Sequence, residues 1–316
     1  MLSDFDRKGS EAARAAWLYY QEDLTQGEIA RELAVSRSTV TRLLHRAKVD
    51  GLVQVSLNVT AGTFQAERTL ERAYGLERVR IVPTANDDAT QKRWLGHVAA
   101  GLLPPMVAEN AVVAVSWGTT MQAMVGSLVG HNPTPGAQVV AIVGGLHNAS
   151  FGSGTNEIAN QLSEYLSATV RPLLAPVYVQ DEATAVGLAN DPGIRDALQL
   201  AAKASVVVFS LGAMDDGATI FRLGHVDVGQ KRFLSARGAV GDVVCRWIDR
   251  DGKPVALPPS INPIGISLED LRQIPHRLAV AGGETKREVV RAGLRGGFAT
   301  TLVTDEHTAE YLLHHR

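Results

Sequence analysis

At 316 residues the chain is too long for one compact core, so about two domains are expected. A formal charge of -2 excludes a protein coated with basic residues along its length, so any nucleic-acid-binding surface must be local. The single cysteine, Cys245, excludes an internal disulfide framework and suits a reducing cytosol. No segment approaches the roughly 20 apolar residues of a membrane span, and MLSDFDRKGSE lacks the apolar stretch of a secretory leader. A cytoplasmic location without membrane contact is therefore expected.

The first predicted element is a helix over about 10–21, in which Ala16, Trp17 and Tyr20 are read as packing against the next pair of helices. Trp17, Tyr19 and Tyr20 are taken as core residues, because stacking on bases requires exposed rings. From Thr25 to Lys48 the sequence TQGEIARELAVSRSTVTRLLHRAK reads as two short helices and a tight turn. Ile29, Ala30 and Leu33 share the inner face of the first helix, and Val40, Leu43 and Leu44 repeat at helical spacing on the second. Thr25 with Glu28 forms a capping box, Ser36 is placed to cap the second helix, and Ala34 with Val35 makes the turn. Glycine is commonest at the position of Ala34, which demands a φ that alanine tolerates less well.

In a helix-turn-helix the start of the second helix meets base edges in the major groove. Ser36, Arg37, Ser38, Thr41 and Arg42 project from that half, with Arg37, Ser38 and Arg42 placed nearest the bases. His45, Arg46 and Lys48 lie further along, where cations meet phosphate. Between Ser36 and Val49 there is no acid, whereas Glu11, Glu22, Asp23, Glu28 and Glu32 lie upstream, so the positive potential is confined to one helix.

After Gly51, LVQVSLNV alternates as a strand, and GTFQAERTLERAYG has helical spacing at Leu70 and Tyr74. These patterns set the boundaries: a DNA-binding domain over 1–57, a linker helix over 58–77 and an effector-binding and oligomerisation domain over 78–316. In this last part VRIV, AVVAVSW, QVVAIV, ASVVVFSL, RLAVA and ATTLVT are apolar throughout. Such strands imply a mainly parallel α/β sheet covered on both faces. Ligands in such sheets bind beyond the carboxyl ends of the strands.

Three loops there carry glycine. Gly118-Thr119-Thr120 follows one strand and opens a helix, offering backbone N-H groups and hydroxyls to a phosphate oxygen, although threonine at a helix start also serves simply as a cap. Gly144-Gly145 follows another strand. Gly282-Gly283-Glu284-Thr285-Lys286 leads into REVVRAGL, where a lysine in the first turn opposes the helix dipole unless an anion is bound. Asp242, after Gly241, either presents a carboxylate to sugar hydroxyls or caps a helix over VVCRWI. Arg237 either serves the anion or pairs with a surface acid. His97, His131, His147, His225 and His276 are scattered without metal-ligand spacing, His314 and His315 read as a solvated tail, and no GxSxG or GxxxxGK[ST] motif occurs, so neither a metal site nor a catalytic residue is assigned.

In order, AAWLYYQEDLTQGEIARELAVSRSTVTRLL, VSWGTT, VAIVGG, FSLGAM, RGAVGD, WIDRDGKPV, IGISLEDLRQIP, LAVAGGETKREVV and LVTDEHTAEYLL resemble the SorC family of bacterial transcriptional regulators, the DeoR type with a sugar-binding domain. The resemblance covers almost the whole chain. It implies a winged helix-turn-helix domain joined to an effector domain similar to glucosamine-6-phosphate deaminase and ribose-5-phosphate isomerase. It further implies a phosphorylated sugar, polyol or signalling furanone as effector, no cofactor, and a homo-oligomer, usually a tetramer, on operator DNA of a catabolic operon. By motif, Gly118, Thr119, Thr120 and Lys286 match the phosphate-holding positions and Asp242 one that holds hydroxyls. Some relatives carry a lysine before the paired glycines for a Schiff base; here that residue is Val143, so non-covalent binding is expected. The alternative reading is a sugar-phosphate isomerase or deaminase with a DNA-binding appendage. It requires a base over C1 and C2, and these loops plainly offer only Asp242. A DNA-binding scaffold without any effector is a third reading, which the phosphate-suited loops disfavour.

Overall fold

The computed structural model describes residues 4–20, 22, 24–49, 51–53, 61–145 and 154–315, with the backbone alone at 4–10, 48, 49 and 61. The chain divides into two compact units, 1–58 with 128–131, and 59–127 with 132–316.

The first unit contains α1 (Asp4–Tyr20), α2 (Gln26–Glu32) and α3 (Arg37–Val49). Its core joins Ala12, Ala15, Ala16 and Leu18 of α1 to Ile29 of α2 and to Val40, Leu43, Leu44 and Ala47 of α3. Among the described side chains of α1, alanines supply most of the buried face, which leaves the large rings outside. Trp17, Tyr19 and Tyr20 are 60%, 37% and 38% exposed, contrary to their expected place in the core. Helix α1 also begins earlier than predicted. The predicted strand LVQVSLNV falls largely on residues 54–60, outside the described residues.

Thr25 Oγ1 accepts from the Glu28 amide while the Glu28 carboxylate accepts from the Thr25 amide at 2.8 Å, the reciprocal cap the sequence predicts. Ser36 Oγ accepts from the Thr39 amide at 3.1 Å and fixes the start of α3. Between the helices the Val35 amide donates to Ala30 and the Ala34 amide to Arg31, the paired bonds of a Schellman motif whose left-handed residue is Ala34, at φ 52°. An alanine Cβ in that conformation costs about 1–2 kcal/mol, partly offset by the extra freedom of glycine in the unfolded chain. Ala34→Gly is therefore expected to slow amide exchange in the α2–α3 core by an amount equivalent to about 0.5–1 kcal/mol. Unchanged or faster exchange counts against the strain.

The second unit opens with α4 (Ala61–Tyr74), followed by β1 (Arg78–Val82), α5 (Asp88–Leu102), β2 (Val112–Val115), α6 (Thr119–Val125), β3 (Gln138–Ala141), α7 (Thr155–Leu166) and β4 (Thr169–Arg171). Next come β5 (Tyr178–Val179), α8 (Glu182–Asn190), α9 (Pro192–Ala202), β6 (Val206–Phe209), β7 (Leu211–Ala213), α10 (Thr219–Arg222), α11 (Val228–Ala236), β8 (Gly241–Val243) and β9 (Arg246–Ile248). The chain closes with β10 (Asn262–Pro263), α12 (Leu268–Gln273), β11 (His276–Val280), α13 (Arg287–Arg295), β12 (Thr301–Asp305) and α14 (Glu306–His314).

Among the described residues, the main sheet has seven strands in the order β1-β12-β11-β6-β2-β3-β4, and all its pairings are parallel. The six apolar runs read from the sequence supply six of these strands. The seventh, Thr169–Arg171, is short and carries no apolar run. Strands β6 and β12 are buried at every position, as a sheet covered on both faces requires. The edge at β1 is covered by α4, where the buried Glu67 accepts from the Ile81 amide at 3.0 Å and Glu71 from the Val79 amide at 3.1 Å. Those carboxylates occupy amides that would otherwise offer pairing sites to another strand.

The strand order also fixes where a ligand can sit. From β2 the chain proceeds outward through β3 and β4, whereas from β6 it proceeds the other way through β11 and β12. Between β2 and β6 lies the topological switch point, whose crevice opens beyond the strands' carboxyl ends. A second, antiparallel sheet, β7-β8-β9, follows directly on β6.

Candidate functional site

Residues following β2 and β6 enclose a cavity of about 90 Å³ at that crevice. Its walls include Ser116 to Thr120 after β2, Ser210 to Ala213 after β6, Asp242, Val244 and Cys245 from the β8–β9 hairpin, and Lys92 and Lys286. Gly118 has φ 121°, which a side chain rarely adopts, and it turns the chain from β2 directly into α6. Buried Ser116 and Thr120 and half-buried Thr119 therefore bring hydroxyls to the cavity.

Lys286 Nζ donates to Ser210 Oγ at 3.2 Å. It stands at the end of the one-turn 3-10 helix Glu284–Lys286, immediately before α13. Burial, then the neighbouring Lys92 ammonium, push its pKa down to about 8, against the weaker pull of Asp88 and Asp242. Lys92 comes from α5 and is held by Asp88 at 2.5 Å. Two ammonium groups that repel each other in one small cavity are relieved by an anion between them.

Asp242 lies opposite in charge and is only 6% exposed. Burial raises its pKa to about 6, against the stabilising Cys245 amide and Lys286. The segment VVCRWI forms no helix, so the capping alternative for Asp242 does not hold. Instead β8 and β9 are joined by Val244 and Cys245, at φ 46° and 65°, a two-residue turn with both residues left-handed. A β-branched valine there is a strained choice. Three bonds converge on its neighbour: the Cys245 amide donates to Asp242 Oδ2 at 2.9 Å, Tyr178 Oη to the Cys245 carbonyl at 3.0 Å, and Trp117 Nε1 to Cys245 Sγ at 3.1 Å. Burial, then Asp242, push the Cys245 thiol well above its usual range, so it is an inert packing group. Gly212 is paired with Asp242 across the sheet, and a Cβ there would lie 1.9 Å from Asp242 Oδ1. The carboxylate occupies its place because residue 212 has no side chain.

Of the effector residues predicted from sequence, Gly118, Thr119, Thr120, Asp242 and Lys286 line this cavity. Gly282 and Gly283 do not; they line an adjoining cleft of about 870 Å³ that shares Lys92, Ala213, Gly217, Ala218 and Lys286 with it. Gly144 and Gly145 line neither. A Cβ at Gly144 would fall 2.0 Å from the Pro176 carbonyl oxygen, so close backbone packing accounts for that glycine. Arg237 stacks on the Phe233 ring, 3.4 Å from its centroid. Lys92, Ser210 and Gly212 are additions: Ser210 and Gly212 lie in FSLGAM at the carboxyl end of β6, where the sequence reading assigns no binding role, and Lys92 on α5 reaches the cavity only through tertiary packing. His147 lies outside the described residues. Among those described, no group of three or more His, Cys, Asp or Glu is placed to hold a metal ion, and no helix is long and apolar enough to cross a membrane.

In the first unit, Ser36, Arg37, Ser38, Thr41 and Arg42 are exposed and Arg46 is half-buried. Thr41 Oγ1 donates to the Arg37 carbonyl at 3.1 Å or to Gln26 Oε1 at 3.2 Å, which ties α3 to the start of α2.

A family model described as "Putative sugar-binding domain" matches residues 59–314, and one described as "MarR family" matches residues 8–62. Over 305 residues the chain is 32% identical to the transcriptional regulator LsrR of Klebsiella pneumoniae, covering 95% of this chain and 92% of that protein. The chain belongs to the SorC family of transcriptional regulators. This SorC-family regulator is also 31% identical over 301 residues to the deoxyribonucleoside regulator of Bacillus subtilis, covering 95% and 96% of the two chains. Its fold matches the full-length sorbitol operon regulator SorC from Klebsiella pneumoniae with a TM-score of 0.73, at 24% identity, over 97% and 99% of the chains. It is a DNA-binding transcriptional regulator with a sugar-binding effector domain, not an enzyme.

Proposed function

We propose that this regulator represses a carbohydrate or polyol catabolic operon in the cytoplasm and is controlled by a phosphorylated sugar or polyol held without a covalent bond or a further cofactor. The observation that carries this reading is the meeting of Lys286, Lys92, Thr119 and Asp242 on one cavity at the switch point. Lysines and hydroxyls suit a phosphate, whereas a buried carboxylate suits vicinal hydroxyls, and together they describe a molecule with an anionic end and a polyol end. The relative named as a deoxyribonucleoside regulator supports a ligand with a sugar moiety.

Operator DNA is bound through Ser36, Arg37, Ser38, Thr41, Arg42 and Arg46 of a homo-oligomer, because two recognition helices must meet half-sites at a fixed spacing, and the family resemblance makes that oligomer a tetramer in this reading. The effector shifts operator affinity only by its differential affinity for the two forms of the protein.

Gel-shift titration of the native operator with sugar and polyol phosphates tests the proposal: a subset releases the DNA, and unchanged affinity in the presence of bound effector refutes it. Arg37→Ala and Arg42→Ala are each expected to weaken operator binding by about 1–3 kcal/mol if the arginine reads a guanine, and to relax preference at that base pair. An equal loss on operator and random DNA assigns the residue to phosphate instead.

A further inference from the structure

We propose that the effector cavity selects a ligand carrying one phosphate and rejects one carrying a second anionic group at its far end. The selectivity rests on the phosphate reading of the proposed function and concerns the part of the ligand beyond the lysines.

The charges divide sharply along the path into the site. The inner cavity holds Lys92 and Lys286 against one buried carboxylate, Asp242. With the first phosphate on the lysines, the far end of the ligand meets either Asp242 inside the cavity or, past the shared lysines, an outer cleft walled by Asp87, Asp88, Asp215, Glu284, Asp305 and Glu306. Against these six carboxylates stand Arg222 and the two shared lysines, together with His307.

Several of the acids are fixed in place. Asp87 caps α5 by accepting from the Thr90 amide at 2.9 Å, and that bond holds its carboxyl below the usual range, so it stays ionised. Asp215 accepts from the Gly217 amide at 2.8 Å. Asp305 accepts from Thr84, from the Thr308 amide and hydroxyl and from the Gly283 amide, which fixes its carboxylate in position.

A first phosphate dianion consumes the positive charge of the two lysines. A second phosphate on the same molecule then meets Arg222 and an Arg287 already paired with Glu284 at 2.9 Å, amid a remaining excess of carboxylates. Like charges in an aqueous cleft repel over roughly a Debye length, about 10 Å at 0.1 M salt, which spans a cleft of this size. Hydroxyl groups meet no such penalty, since carboxylates accept their hydrogen bonds.

The test is calorimetric titration of the full-length protein, at low and high salt, with ribose 5-phosphate, fructose 6-phosphate and glucitol 6-phosphate, and with fructose 1,6-bisphosphate and ribulose 1,5-bisphosphate. At least one monophosphate is expected to bind at least about tenfold more tightly than either bisphosphate, with the gap narrowing as salt rises. The double variant Asp215→Asn, Glu306→Gln is expected to close much of the gap by strengthening bisphosphate binding, leaving the monophosphate within about twofold. A bisphosphate that binds as tightly as the best monophosphate overturns the selectivity and leaves the phosphate reading intact. If none of the five binds and inorganic phosphate produces no heat, the phosphate reading fails and the selectivity fails with it.

Discussion

Replacing Lys286 with methionine is expected to weaken effector binding by about 2–3 kcal/mol, roughly 30- to 150-fold, while leaving operator affinity in the absence of effector within about twofold. The magnitude is that of a hydrogen bond to a charged partner lost from a partly desolvated site. The pH dependence makes the assignment specific. In the free protein the Lys286 ammonium loses its proton around pH 8, because burial and Lys92 both oppose its charge. A bound dianion favours the charged form and raises that pKa, so binding takes up a proton above pH 8 and affinity falls there by up to about tenfold per unit. Below about pH 6 the phosphate itself loses its second charge, and affinity falls again. Calorimetry from about pH 5.5 to about pH 9.5 should show a maximum near neutrality in the parent protein. In the Lys286→Met variant the alkaline decline beginning near pH 8 should be lost; a variant that keeps both the affinity and that decline removes Lys286 from the site.

Asp242→Asn is expected to separate stability from function. The carboxyl of Asp242 has its pKa raised to about 6 from an ordinary 3.8, so the folded protein retains a proton that the unfolded chain has released. Stability from this group is complete below about pH 4, declines as pH rises through 6 and stays lost above it, a cost of about 2–3 kcal/mol at neutral pH. Asparagine carries no charge to desolvate and still accepts from the Cys245 amide. The variant should therefore match the parent near pH 4 and exceed it by about 2–3 kcal/mol at about pH 7.5, since the raised pKa is already net of the attraction to Lys286. It should also lose effector response, because an amide replaces one acceptor oxygen with a donor. Chemical denaturation at the two pH values measures the first effect, and effector-induced release of operator the second. An Asp242→Asn protein less stable than the parent near neutrality overturns the buried-charge account.

Both effects come from a site that is only partly legible in the linear chain. Local chemistry was readable: Thr25 with Glu28 and Ser36 with Thr39 are caps whose partners lie within three residues, and they appear in the structure as hydrogen bonds. So were the apolar runs of the sheet, since a strand buried on both faces has no polar side to disguise it. The glycine turn at 118 was legible for the same reason, as a local backbone requirement.

The expectations that failed depended on neighbours distant in sequence. Trp17 has the composition of a core residue, yet alanines already occupy the buried face of α1. Gly144 resembles a phosphate loop but is glycine because the Pro176 backbone passes against it. Residues VVCRWI have helical spacing, but pairing of Gly241–Val243 with Leu211–Ala213 makes them half of a hairpin.

The amino-acid order alone thus determined the two helices of the helix-turn-helix, the parallel sheet, and Thr119, Asp242 and Lys286 as candidate binding groups, because caps, turns and apolar periodicity act over a few residues. Only the tertiary structure decided that these three share a cavity, that Lys92 joins them and that Gly212 makes room for Asp242. The order in which strands assemble into the sheet sets those distances, and no local interaction encodes it.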